Sequence, residues 1–225
     1  VVTWAVLALA AASAAIFLAA PRLVRALYGG EGFDEATLAL TAQLTRLFLL
    51  SPLLLGLGGL AMAALNARDH FALPALAPSI YNLGIAGGAL LAPWLGVWGM
   101  AWGVVLGALL YLLVQLPGLR RLGMELRPQL GRGMEEVGRI ARQMGPRVLG
   151  QTAAHASFVI TLALAARLED GAAKVAGLAY AYGLMMLPYG VFSLSLSQVA
   201  FPRLARLVAE GRRAELAADV RRTLG

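Results

Sequence analysis

The sequence predicts an all-α integral membrane protein with six transmembrane helices, on three observations. Hydrophobic residues make up 60% of the chain and charged residues 14%. Soluble domains hold about 45–50% and about 25%, so too little polar surface is present to cover a water-soluble globule. The apolar residues fall in runs near the ~20 residues that one helical crossing needs. Finally, the stretch from Phe71 to Leu119 carries no charge at all; it is about twice one span and must fold back on itself.

The first helix is predicted from Val1 to Ala20, too long for a signal-peptide core and without a charged leader. The polar segment PRLVRALYGGEGFDEAT follows. The second helix covers about Leu44 to Leu65, and NARDHFALP turns the chain back. The long uncharged stretch divides around APWLGVWG into a third helix, Pro74 to Leu91, and a fourth, Val97 to Gln115. A charged segment, Arg120 to Arg147, precedes a fifth helix from Val148 to Leu168 and a sixth from Val175 to Ala200. Because the chain opens inside an apolar run and stops at RRTLG in a helix-like stretch, it is expected to be an interior piece of a longer protein.

Basic residues set the orientation. With the first helix starting on the cytoplasmic side, the inside segments hold 14 of the 19 Lys and Arg residues: Arg68, seven from Arg120 to Arg147 and six from Arg203 to Arg222. This is the positive-inside bias, and it places Trp94 and Trp98 at the outer interface. Within the charged segment, Met134, Val137, Ile140, Ala141 and Met144 recur at helical spacing while Glu135, Arg139 and Arg142 take other faces. That pattern predicts an amphipathic helix on the membrane surface and a boundary between two bundles.

Composition also narrows the chemistry. The net charge of +7 follows from basic loops beside apolar spans, and no nucleic-acid partner is needed to explain it. No cysteine is present, which removes disulfides and thiol chemistry, and with His70 and His155 as the two histidines no metal site or other cofactor is expected. No Asp or Glu lies within a predicted span, so no intramembrane carboxylate relay is seen. Asp69 and His70 are the most enzyme-like pair, but adjacent residues on a helix diverge by about 100°. Neither a nucleophile with its base nor a phosphate loop is present, so no catalytic residue is assigned.

Several positions inside the spans stand out. Gly99, Gly103 and Gly107 form a row on the fourth helix, and Gly84 with Gly88 a second on the third; such rows let helix backbones approach. Pro52 and Pro188 each delete one backbone hydrogen bond, to the carbonyls of Phe48 and Leu184, and are hinge candidates. Asn82, Gln151, His155 and Tyr182 are polar side chains at depth, expected to face other helices or a substrate path. Arg46, near the outer end of the second helix, is a candidate for the vestibule of a cavity or for snorkelling to the interface.

The segments LNARDHFALPALAPSIYN, QLPGLRRLGMELRP, RQMGPRVLG and YAYGLMMLPYGVFSLSLSQVAFPRLAR resemble, in order and spacing, the MurJ (MviN) lipid II flippases of bacterial peptidoglycan synthesis. The resemblance implies the third to eighth transmembrane helices of a fourteen-helix, two-lobe transporter of the multidrug, oligosaccharidyl-lipid and polysaccharide exporter superfamily. Residues 1–119 would then belong to the N-lobe, 120–147 to the inter-lobe linker and 148–225 to the start of the C-lobe. The implied function is alternating-access flipping of undecaprenyl-pyrophosphate-linked muropeptide across the bacterial inner membrane, with lipid II and the phospholipid bilayer as partners. Some family members carry an Asp-Arg pair after YA in the sixth helix; here Tyr182 and Gly183 stand there, leaving Arg46 as the local cation. The alternatives are another polysaccharide-lipid or multidrug exporter, a polyprenyl-phosphate enzyme using Asp69 and His70, and a scaffold for cell-wall proteins.

Overall fold

A computed structural model of the chain describes residues 2–30, 32–123 and 135–194, together with 206–207, 210, 212 and 215. These residues are helical, with no strand among them. Two compact units are present, Val1–Glu169 and Asp170–Gly225.

In the first unit, α1 (Val2–Tyr28) continues past its expected end at Ala20 and through Pro21. The extension is held by packing. Val24, Leu38 and Ala42 form a small buried cluster with Tyr28 and Phe33 against it, and the two rings meet edge to face at 6.0 Å. The stretch that composition marks as polar therefore contains its own apolar contact. α2 (Glu35–Phe48) likewise begins earlier than Leu44. Asp34, extended at φ −76° and ψ 159°, accepts a hydrogen bond from the Thr37 backbone N–H at 3.2 Å, which satisfies one of the donors a helix N-terminus leaves open.

α3 (Leu50–Asn66) follows after Leu49 alone. Pro52 explains that interruption, because it has no N–H to give the Phe48 carbonyl, and within the first turn of α3 its missing donor is tolerated. α3 ends in a Schellman-type stop: the His70 N–H bonds the Leu65 carbonyl at 3.0 Å and the Asp69 N–H the Asn66 carbonyl at 3.1 Å. Asp69 supplies the left-handed residue at φ 58° that this motif requires and that glycine usually fills.

α4 (Ala72–Leu90), the short α5 (Ala92–Leu95) and α6 (Val97–Leu113) form a hairpin with its turn at APWLGVWG, as expected. Gly96 makes the corner at φ 58° and ψ −144°, a conformation open to glycine. The two long helices touch backbone to backbone. A Cβ on Gly103 would lie 2.5 Å from the Gly88 Cα, one on Gly107 2.6 Å from the Tyr81 carbonyl oxygen, and one on Gly84 against the Gly107 backbone. Beyond α6, α7 (Leu116–Arg121) seats Leu119 on Ala61 and Leu65 of α3. Fully buried Gln115 turns its amide N–H back to the Tyr111 carbonyl at 2.8 Å.

α8 (Glu135–Ala165) is one helix. The predicted surface helix and the predicted fifth span are joined through Pro146 and Arg147 without a break, so the change in composition at Val148 marks no change in backbone. Met134 and the stretch 124–134 lie outside the described residues, as do the side chains of Val137, Ile140 and Ala141. In the second unit, α9 (Gly171–Pro188) starts four residues before Val175 and passes at Pro188 into a π-helical turn, Tyr189–Leu194. Proline again removes a donor, here from Leu184, and the wider turn follows directly. The rest of the predicted sixth helix, 195–200, lies outside the described residues.

Among the described residues five helices are long and apolar enough to cross a membrane: Thr3–Tyr28, Glu35–Asn66, Val97–Arg121, Arg142–Ala165 and Gly171–Phe192. The expected count was six. α4, at 19 residues, is not among them because Pro74, Pro78, Asn82 and three glycines dilute its apolar character. Large apolar side chains such as Leu18, Leu83, Trp94 and Leu149 are 69–78% exposed, as suits surfaces that face lipid or other helices.

Two predictions follow from these contacts. Gly103→Leu should abolish the close approach of α4 and α6 and collapse the yield of monodisperse full-length protein on size-exclusion chromatography. Gly87→Ala, where an added Cβ meets nothing within 4 Å, should leave it unchanged or improved. At the α2 cap, the Thr37 side chain and then its backbone N–H hold the Asp34 carboxyl below its usual value. A depressed folded pKa means that the cap stabilises above the unfolded value of about 4 and that this is lost as pH falls through the folded value. Melting temperature measured against pH should show that acid-side loss in the parent protein, and Asp34→Asn should flatten it.

Candidate functional site

The first unit holds two hollows on either side of one residue, Arg46. One, about 240 Å³, lies between α1 and α2 and is lined by Pro21, Arg25, Glu35, Leu38, Gln43 and Arg46 among others. The second, about 560 Å³, is bounded by Ser13, Phe17, Leu18, Leu47, Leu50 and Leu53, with Arg46 its single charged wall. Arg25 and Glu35 pair at 2.6 Å, but with side chains 68% and 74% exposed the bridge contributes only about 0–1 kcal/mol.

Arg46 is tied more firmly. Its Nε–H donates to the Phe17 carbonyl at 3.0 Å and its guanidinium carbon sits 4.9 Å over the centre of the Phe17 ring. The carbonyl is available for a sequence reason. In an α-helix it would accept from residue 21, and residue 21 is proline. A backbone group left unpaired in hydrocarbon costs several kcal/mol, whereas the stacking on Phe17 contributes about 0.5–2; the hydrogen bond is the larger effect. A second arginine acts alike at the end of α1, where Arg167 Nη2 donates to the Ala26 carbonyl at 3.3 Å, one of the carbonyls a helix C-terminus leaves open.

The other predicted site residues are placed apart. Asn82 is exposed on α4, off the face that Pro74, Ala77 and Gly88 bury. Gln151 and His155 lie one turn apart on exposed α8, as their spacing requires. The contact between them runs from the His155 Nδ1 to the Gln151 backbone carbonyl, 2.9 Å, and leaves the glutamine side chain out. Tyr182 lies on α9 in the second unit and is 36% exposed. Pro52 and Pro188 sit at the two helix irregularities described above. Sequence reasoning named Arg46 but missed Pro21, whose effect is legible once a proline is counted as a carbonyl left free four residues upstream. It also missed Gln115 and Ser51, buried polar groups whose Oε1 and Oγ lack a hydrogen-bond partner.

Asp69 and His70 do not converge on a common point. Asp69 holds the left-handed corner of the turn, and the His70 ring Nδ1 contacts the Arg68 carbonyl at 2.9 Å. Among the described residues no group of three or more His, Cys, Asp or Glu could hold a metal ion.

These features define a multi-pass α-helical membrane protein whose spans are joined by proline-interrupted helices and one glycine-packed hairpin. The family described as lipid II flippase MurJ matches residues 1–225, and the chain belongs to that family. Its curated relatives include the lipid II flippase MurJ of Burkholderia cenocepacia, 31% identical over 92% of this chain and 40% of that protein. The probable lipid II flippases MurJ of Buchnera aphidicola from Acyrthosiphon pisum and of Haemophilus influenzae are 31% and 29% identical over 79% and 72% of this chain, and 35% and 32% of their own lengths. The chain thus spans two fifths or less of these relatives.

Because Asp69 serves as a helix stop, Asp69→Asn should leave the melting temperature and the activity of the full-length protein, whatever it is, unchanged, and Asp69→Gly should match or exceed the parent melting temperature. Loss of activity in both variants, with folding intact, would restore a chemical role for the pair.

Proposed function

We propose that this chain is the part of a lipid II flippase that completes one lobe and begins the next, moving undecaprenyl-pyrophosphate-linked muropeptide across the bacterial inner membrane by alternating access. The observation that carries the reading is the match of the whole chain to the lipid II flippase MurJ family. In this reading the protein has fourteen helices in two lobes, with residues 1–119 in the N-lobe, 120–147 as linker and 148–225 opening the C-lobe. α4 is the sixth crossing: 19 residues rise about 28 Å, close to the ~30 Å hydrocarbon thickness, and its glycine face lies on the spanning α6.

Asn82, Gln151, His155 and Tyr182 are assigned to the substrate path, since exposed polar side chains on apolar helices belong toward water or substrate and away from lipid. Pro52 and Pro188 are assigned as hinges, each where the regular ladder changes. The protein moves its substrate without covalent change, using no cofactor and no nucleic-acid partner.

The reading is tested by depleting the full-length protein in its own cells and measuring lipid II exposed on the outer leaflet. Exposure should fall to near background and recover with the plasmid-borne gene. Undiminished exposure in a strain with no second flippase would remove the assignment, and loss of a different polyprenyl-linked sugar would redirect it to another exporter.

A further inference from the structure

Arg46 combines three observations that the proposed function does not use. It is a charged residue on an apolar helix pair, it forms the wall common to two hollows, and its Nε–H is spent on a backbone carbonyl of another helix. That carbonyl, Phe17, is the one Pro21 leaves without a donor. We propose that Pro21, the Phe17 carbonyl and Arg46 form one joint, in which Arg46 is a positioning residue that replaces the missing N–H of residue 21 and so fixes α1 against α2 beside the hollows.

The chemistry favours arginine at this point. Its Nε–H lies in the plane of a rigid fork, so one donor can be committed while the flat face stacks on an aromatic ring. The Phe17 ring, 4.9 Å from the guanidinium carbon, belongs to the residue whose carbonyl is bonded, so one residue of α1 supplies both contacts. Polar groups inside a bilayer gain most when the alternative is an unpaired backbone atom. In that setting the guanidinium acts as a component of the helix ladder. A cation presented to an anionic substrate would depend on its charge alone and would not depend on what stands at residue 21.

This dependence gives the test. In the full-length protein, Arg46→Leu leaves the Phe17 carbonyl unpaired. It should lower the melting temperature by about 2 °C or more and reduce lipid II externalisation at least about fivefold, a change of about 1 kcal/mol. Pro21→Ala restores the N–H of residue 21, so the same Arg46→Leu change made on that background should cost less than about twofold relative to Pro21→Ala alone. Arg46→Lys, which keeps a donor, should retain at least about half of the parent activity. Phe17→Leu, which keeps the carbonyl and loses the ring, should cost less than Arg46→Leu, and this comparison stands even where Pro21→Ala does not fold. Equal cost of Arg46→Leu with proline or alanine at residue 21 would overturn the joint, as would a Phe17→Leu defect as large as that of Arg46→Leu. The externalisation readout rests on the lipid II reading; the melting readout does not, so failure of one is distinguishable from failure of the other.

Discussion

The backbone of a membrane helix has no water to turn to, and the architecture of this chain follows from how each unpaired amide is handled. Proline is the recurring source of the problem, since every internal proline leaves one carbonyl free four residues upstream. The chain handles its prolines in different ways. At Pro52 the helix is interrupted, and α3 restarts with proline in its first turn, where no donor is needed. At Pro188 the α-helix gives way to a π-helical turn. At Pro21 the helix runs on, and a side chain from a neighbouring helix supplies the donor. Local sequence alone does not select among these outcomes; what packs beside the proline does, as Val24, Leu38 and Ala42 do for the continuation of α1.

Close approach of backbones is the second ordering principle, and it acts where the first is quiet. α4 and α6 meet through Gly84, Gly88, Gly103 and Gly107, so the attraction is dispersion over a contact that side chains would hold apart. This is also why α4 is not among the five helices apolar enough to cross a membrane by composition alone. Glycine and proline serve its packing and its start, and each lowers hydropathy. A segment can therefore be built for a helix interface and look marginal as a lipid-facing span. The outward side of α4 is apolar all the same, with Leu83 69% exposed.

Much of this was legible in the sequence. The glycine spacing on the third and fourth predicted helices marked each as a close-approach surface, which the structure pairs with one another, and APWLGVWG marked the turn between them. The motifs quoted from Leu65 to Arg206 carried the family resemblance. Helix ends were less legible, and for identifiable reasons. Pro21 and the charged residues after it suggested an end at Ala20, but a buried apolar contact beyond them carries α1 to Tyr28. Asp34 was part of an apparent loop, yet its position three residues before Thr37 makes it a cap. Val148 was read as the start of a span, although the helix had already begun at Glu135, because an amphipathic stretch and an apolar stretch share the same backbone geometry. Of the site, the residue types were visible, but which backbone atom Arg46 serves depends on a helix 29 residues away in sequence.

Arg46 also bears on how charge should be read in this family member. Tyr182 and Gly183 carry no charge, so Arg46, inside the Glu35–Asn66 span and on the wall of both hollows, invites assignment to the substrate. Its geometry argues for a different order of priorities. A guanidinium that satisfies a carbonyl freed by proline would be retained for folding whether or not substrate ever met it, since removing it exposes a backbone group that lipid cannot solvate. Its remaining N–H groups still border the two hollows, so contact with an anion is compatible with the joint and secondary to it. In a helical unit held together by helix termini, prolines and glycines, the location of a charge is fixed first by the backbone it completes, and any further role is built on that position.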